Sequence, residues 1–187
     1  MNRRRFWWLL LCIGILAGAP WAITHAVFTD TQAVTGNTFS TGSVDISTSP
    51  TSALVTFSAM APGDKVTAPL TVSNAGTMDF RYAMSTSISG SATLASGLEL
   101  QIKSGVTTCT NAGFDSTGTS VYNSTLTAGA IGSNAQGAQA GDRTLSASGS
   151  EVLCFQVRLP SGAGASLQGL STTATFTFDA EQTANNP

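Results

Sequence analysis

The side chains able to do chemistry in this 187-residue chain are few: one histidine, His25, three cysteines at 12, 109 and 154, and ten carboxylates. A serine nucleophile needs an imidazole base, and a zinc hydrolase needs histidine ligands, usually two on one helical face. A single histidine near the N-terminus satisfies neither. The many serines lie in no Gly-x-Ser-x-Gly elbow, and no glycine-rich loop ends in Lys-Ser or Lys-Thr. Glycoside hydrolysis needs only two carboxylates. Asp45, Glu99, Asp179 and Glu181, however, alternate with apolar residues, which predicts a solvated face. Asp64, Asp115 and Asp142 stand in loop-like stretches and could join carbonyl oxygens around calcium, but without an Asp-x-Asp loop. The expectation is no catalytic residue, no metal and no cofactor.

The N-terminus restricts the chemistry further. Arg3, Arg4 and Arg5 precede an apolar run from Phe6 to Ala19, then Pro20 and the small residues of Thr24-His25-Ala26. That order of basic, apolar and small-residue regions is a secretory signal. The run is shorter than the ~20 residues of a membrane span. Cleavage is expected between Ala26 and Val27, or one residue later, before Phe28. It divides the chain into a signal peptide, 1–26, and a single domain, 27–187. His25 would leave with the signal, as would Trp7, Trp8, Trp21 and Cys12. With three of the eight basic residues gone and all ten acids kept, the formal net charge becomes −5. Such a surface has no electrostatic handle for nucleic acid or anionic membrane.

Two cysteines, Cys109 and Cys154, then remain in an exported chain, and a disulfide between them is expected. With no histidine to activate it, neither is expected to be a thiol nucleophile. Asn123-Ser124-Thr125 is a glycosylation sequon. Leu159-Pro160-Ser161-Gly162 has no second hydrophobic segment after it, so covalent wall anchoring is not expected.

The elements that would position these residues are strands. Val44 and Ile46, then Ala53, Val55, Phe57 and Ala59, then Leu70 and Val72, all alternate with polar neighbours. So do Phe80, Tyr82 and Met84; Leu98, Leu100 and Ile102; Leu153, Phe155, Val157 and Leu159; and Ala174, Phe176, Phe178 and Ala180. Period two with β-branched and aromatic residues predicts half-buried strands. Turn signals at Ala61-Pro62-Gly63-Asp64, Asn74-Ala75-Gly76 and Ser89-Gly90-Ser91 separate them. The pattern predicts an all-β fold, an antiparallel two-sheet sandwich of jelly-roll type. Residues 127–150, rich in Gly, Ala and Ser, read as a long mobile loop or a loosely held hairpin.

Several motifs occur in a familiar order. Val27-Phe28-Thr29-Asp30 is followed by Gly36-Asn37-Thr38-Phe39-Ser40-Thr41-Gly42-Ser43-Val44-Asp45-Ile46, then Ala61-Pro62-Gly63-Asp64-Lys65-Val66, Val72-Ser73-Asn74-Ala75-Gly76 and Phe176-Thr177-Phe178-Asp179-Ala180-Glu181-Gln182. The chain resembles the TasA/camelysin family of exported surface and matrix proteins; residues 88–150 match nothing specific in that pattern. The resemblance implies a jelly roll and processing by a SipW-type signal peptidase. It also implies, as in TasA-type fibres, donation of the segment behind the signal, Phe28 to Ile46, as a strand to the next subunit. Phe28, Phe39, Val44 and Ile46 would then be the donor-strand anchors. The same segment could equally be an ordinary first strand of its own domain. Camelysin has been described as a metalloprotease, and the absence of histidine behind the signal departs from that.

Three readings follow. The first is a secreted structural subunit, at the cell surface or in an extracellular matrix, whose partners are copies of itself and other matrix or surface proteins, with a signal peptidase during export and no membrane span after processing. The second is a monomeric secreted adhesin or ligand-binding sandwich using its loops. The third is a camelysin-like peptidase.

Overall fold

A computed structural model describes residues 36, 38–52, 54–56 and 59–186; its β-structure falls in the unit Ser40–Pro187. Alternating stretches become antiparallel strands in two sheets. The first sheet has the order β1 (Ile46–Ser49), β2 (Lys65–Asn74), β8 (Ser150–Arg158), β4 (Glu99–Ser104), β5 (Thr119–Thr125). The second is built around β3 (Phe80–Gly90). β9 (Thr172–Gln182) runs along the full length of β3 on one edge. The short strands β6 (Ala130–Ile131) and β7 (Arg143–Leu145) pair with Met84–Ser85 and Phe80–Tyr82 of β3. Because β9 already pairs with those same residues, β6 and β7 must share the opposite edge of β3, end to end.

The pleat explains which residues meet. Leu70 and Val72 of β2, Leu153, Phe155 and Val157 of β8, and Leu100 and Ile102 of β4 point inward and are buried. They pack in one cluster with Phe80, Tyr82 and Met84 of β3, and with Ile131 and Leu145 of β6 and β7. A polar tie crosses between the sheets at Glu151. The Tyr82 hydroxyl donates to Glu151 at 2.5 Å, and Arg143 Nε donates to both oxygens of Glu151 at 2.9 and 3.0 Å. Burial, reinforced by the hydrogen bond to Glu151, pushes the Tyr82 phenol far above its ordinary value. The Arg143 guanidinium is likewise raised, first by its bond to Glu151.

The expected all-β sandwich is therefore the fold, with differences in detail. Of the alternating run Ala53, Val55, Phe57 and Ala59, the described part makes no strand: Leu54–Thr56, Ala59 and Met60 carry no strand structure, and residues 53, 57 and 58 lie outside the described set. Alternation creates a face but not a partner, and a strand needs both. The segment 127–150 is not a hairpin paired on itself. It sends β6 and β7 to β3, and Ile131 and Leu145 are its two apolar anchors in the core. Two short helices were not legible: α1 (Ala92–Gly97), capped by the Ser91 hydroxyl, and α2 (Asn111–Ser116), capped by Thr110.

Candidate functional site

β1 is four residues long and pairs only with Thr71–Asn74 of β2. Among the described residues no strand covers Lys65–Leu70 on that side, and β9 pairs with β3 alone. Between Lys65–Leu70 of β2 and the outer edge of β9 lies a cleft of about 610 Å³, whose apolar lining includes Val66, Leu70, Val157, Phe176 and Phe178 together with Leu54, Val55 and Met60 of the segment that follows β1. Phe176 and Phe178 also belong to the core: Phe176 lies 5.1 Å from the Phe155 ring and Phe178 lies 6.1 Å from Tyr82. Phe176 and Phe178 thus have one side packed and the other facing the cleft. Along the rim, β9 presents alternate N–H and C=O groups with no strand beside them, a template for a further strand.

The opposite arrangement holds on the outer face of the first sheet. The segment from Gly105 to Gly118, containing α2, crosses that face and is tied down residue by residue. Cys109 is disulfide-bonded to Cys154 of β8, Cα atoms 5.6 Å apart. Cys154, opposite in phase to Leu153 and Phe155, is buried beneath this strap. Asn111 accepts from the Thr67 hydroxyl at 2.6 Å and donates to the Lys65 carbonyl at 3.2 Å. Lys103 Nζ donates to the Phe114 carbonyl at 2.6 Å and lies 4.7 Å from the Phe114 ring centroid. Lys65 pairs with Asp115, and this bond holds the exposed Asp115 carboxyl below its ordinary value.

The sequence-predicted site residues are distributed as follows. Ala26, Val27 and Phe28 lie outside the described residues. Phe39 is 96% exposed and Val44 is 38% exposed. Ile46 opens β1, pairs with Asn74 and packs on the core. The candidate donor segment Phe28–Ile46 is corrected at its C-terminal end: Ile46 belongs to the chain's own sheet, because its backbone partners on β2 are already in place. Asn123 of the sequon is exposed on the edge strand β5. The cleft and the free rim of β9 were not singled out from the sequence. Their trace there is the longest alternating run, Thr172–Gln182, set against a first strand too short to match it.

A metal centre requires three or four converging ligands. Asp64 caps its own turn, accepting from the Ala61 amide at 2.8 Å, and Asp142 accepts from the Gln139 and Ser133 amides at 2.8 and 3.0 Å. Glu99, Glu151, Glu181 and Asp115 are paired with Arg158, Arg143, Arg81 and Lys65. Both cysteines among the described residues are in the bridge. Among the described residues no three His, Cys, Asp or Glu side chains converge, so this donor set does not fit a metal site. Nor is any described helix long and apolar enough to cross a membrane.

No curated protein matches the chain. One family model, described as camelysin metallo-endopeptidase, matches residues 10–186. With nearly the whole length matched, and a β-sandwich in which the Pro-Gly-Asp turn, the Asn-x-Gly strand end and the closing strand β9 fall in order, the chain belongs to the camelysin family, which includes the TasA-like proteins.

Proposed function

We propose that this protein is an exported structural subunit of a cell surface or extracellular matrix, and that it assembles with copies of itself by strand donation. The observation that carries the reading is the free edge of β9 beside the uncovered half of β2, with an apolar cleft between them. The occupant is the segment Phe28–Ser40 of a second copy, freed when the signal is removed near Ala26. Its anchors are Phe28 and Phe39, the latter 96% exposed. Full enclosure of each ring contributes ~1.5–3 kcal/mol. Backbone pairing with β9 sets the register and adds less, because water competes for the same groups. Association costs several kcal/mol in lost freedom, so loss of both anchors returns the subunit to the monomer.

Deleting Phe28–Ser40 from the mature chain tests this. The expected result is a folded monomer that forms no fibres by light scattering or electron microscopy and binds a peptide of the deleted sequence. Fibres from the deletion variant would overturn strand donation in favour of assembly through another surface, and an intact mature protein that stays monomeric at high concentration would favour the monomeric binding module instead. The family description also names a peptidase. Chelator-sensitive cleavage of a protein substrate by the purified mature chain would overturn the purely structural reading.

A further inference from the structure

The molecule has a second long strand edge besides that of β9. β5 closes the first sheet at the end away from β1, pairs with β4, and has no strand on its other side among the described residues. Edges of this kind invite unwanted pairing, and proteins shorten them, charge them, bulge them or break them with proline. Apart from β9, the neighbouring edges follow that rule: β1 has four residues, β6 two and β7 three. β5 has seven, Thr-Ser-Val-Tyr-Asn-Ser-Thr, with no charge and no proline. A bulge between Ile102 and Lys103 leaves Val121 without an opposite residue and distorts the ladder in the first half of the strand. Tyr122 to Thr125 stay in regular register with Ile102 to Glu99, so this second half is the unguarded one.

The sequon Asn123-Ser124-Thr125 falls in that half. Opposed residues of an antiparallel pair share a face. Tyr122 and Ser124 stand opposite the buried Ile102 and Leu100 and so face inward, while Asn123 stands opposite Gln101 on the outer face. Asn123 is exposed. Elsewhere the asparagine amides are engaged in the fold: Asn74 Nδ2 donates to the Met78 carbonyl at 2.8 Å, and Asn111 Nδ2 to the Lys65 carbonyl at 3.2 Å. Around Asn123 the hydrogen bonds pass the amide by. The Tyr122 hydroxyl donates to the Thr125 carbonyl at 2.8 Å, Thr125 Oγ1 lies 3.1 Å from Thr127 Oγ1, and no described group bonds the Asn123 side chain. A free asparagine amide with a threonine hydroxyl two residues on, and no proline between them, is the acceptor that N-glycosylation reads.

We propose that Asn123 is an N-glycosylation site, and that its glycan shields the Tyr122–Thr125 edge from pairing with another chain. The donor is a sugar activated on a lipid phosphate. Asn123 Nδ2 bonds to the anomeric carbon as the bond from that carbon to the phosphate oxygen breaks. The phosphate leaves with the electron pair, and the amide gives one proton to a base of the transferase. An unfolded chain crossing the membrane presents the sequon before β5 has paired with β4. The attached sugar is bulky and hydrated and is rooted in the edge strand itself, so a strand approaching Tyr122–Thr125 meets it first. β9 is then the long edge left unshielded. The inference rests on the export part of the reading above and not on strand donation.

The test is peptide mapping by mass spectrometry of the protein recovered outside the host that exports it, wild type beside Asn123→Gln, Thr125→Ala and Thr125→Ser. The wild-type peptide carrying Asn123 is expected to exceed its sequence mass by at least one sugar residue. The excess is expected to vanish in Asn123→Gln and Thr125→Ala and to persist in Thr125→Ser, a pattern that a structural role for these side chains does not produce. Shielding is read in the exported variant lacking Phe28–Ser40, where donation makes no contribution. Adding Asn123→Gln to it is expected to raise light scattering at least tenfold at equal concentration. An unmodified Asn123 in the exported wild type overturns the proposal. A modified Asn123 whose loss leaves scattering unchanged overturns the shielding and upholds the site. Wild-type protein found only inside the cell overturns the export reading, and the site with it. Fibres from the deletion variant overturn donation alone and leave the mapping result standing.

Discussion

The outer face of the first sheet and the flank between β2 and β9 are built from the same alternating, hydroxyl-rich kind of sequence, yet they are finished in opposite ways. On the outer face a strap of small and polar residues is fastened by a disulfide, a buried Phe114, a cation–π contact and hydrogen bonds to two strands, β2 and β4. On the flank, Phe176 and Phe178 stand half-buried, and a long strand edge is left without a partner among the described residues. A protein able to close one face so thoroughly has the means to close the other. An apolar cleft bordered by unpaired backbone is an aggregation hazard that soluble domains normally cover or charge. Its persistence beside a well-sealed face is what makes it an interaction surface in the donation reading.

The contrast can be broken by measurement. The largest effect is expected from Phe114→Ala, which empties a site 1% exposed and should cost about 3–5 kcal/mol in urea denaturation. Replacing both Cys109 and Cys154 with serine opens a 45-residue loop and should cost up to about 4 kcal/mol. Treating the wild-type protein with reductant should reproduce that loss and expose the strap to protease. Phe176→Ala, on the open flank, should cost the monomer only about 1–2 kcal/mol, because one side of the ring is already in the cleft. If Phe176→Ala proves as costly as Phe114→Ala, the flank is a closed core and the comparison fails.

The smallest expected effect comes from acid. Asp115 is held below its ordinary value by the hydrogen bond from Lys65. Its folded form is therefore favoured at neutral pH, and that contribution is lost as the pH falls through the depressed value. Glu181 is lowered in the same way, first by Asn186 and then by Arg81, so it has the same sign. Amide exchange of Asn111–Ser116 should quicken only below the ordinary carboxylate range. Quickening at mildly acidic pH would assign the strap's fastening to another group.

The strands of the core were legible because a half-buried strand must alternate: Phe80, Tyr82 and Met84, or Leu153, Phe155 and Val157, show the period in the bare sequence and occupy one face in the fold. The cysteine pairing was legible by count, since only Cys109 and Cys154 lie behind the expected signal. Leu54–Thr56 and Ala59 mislead for the complementary reason, because alternation says nothing about whether a neighbouring edge is available. β6 and β7 are too short to show a period at all. The helix caps at Ser91 and Thr110 were visible as residues but had no apolar stripe behind them to mark a helix.

The sequence by itself determined the class of fold, the polarity of each strand's faces and the scarcity of catalytic side chains, because these depend on residue type and local spacing. Only the tertiary structure decided that β1 stops after four residues while β9 runs for eleven, that Asn74 and Gly76 gather three distant segments at one end of the sandwich, and that Cys154 lies under a strap. Each of these is a matter of which edges meet across long stretches of chain, and such pairings are set by the packing of the whole domain.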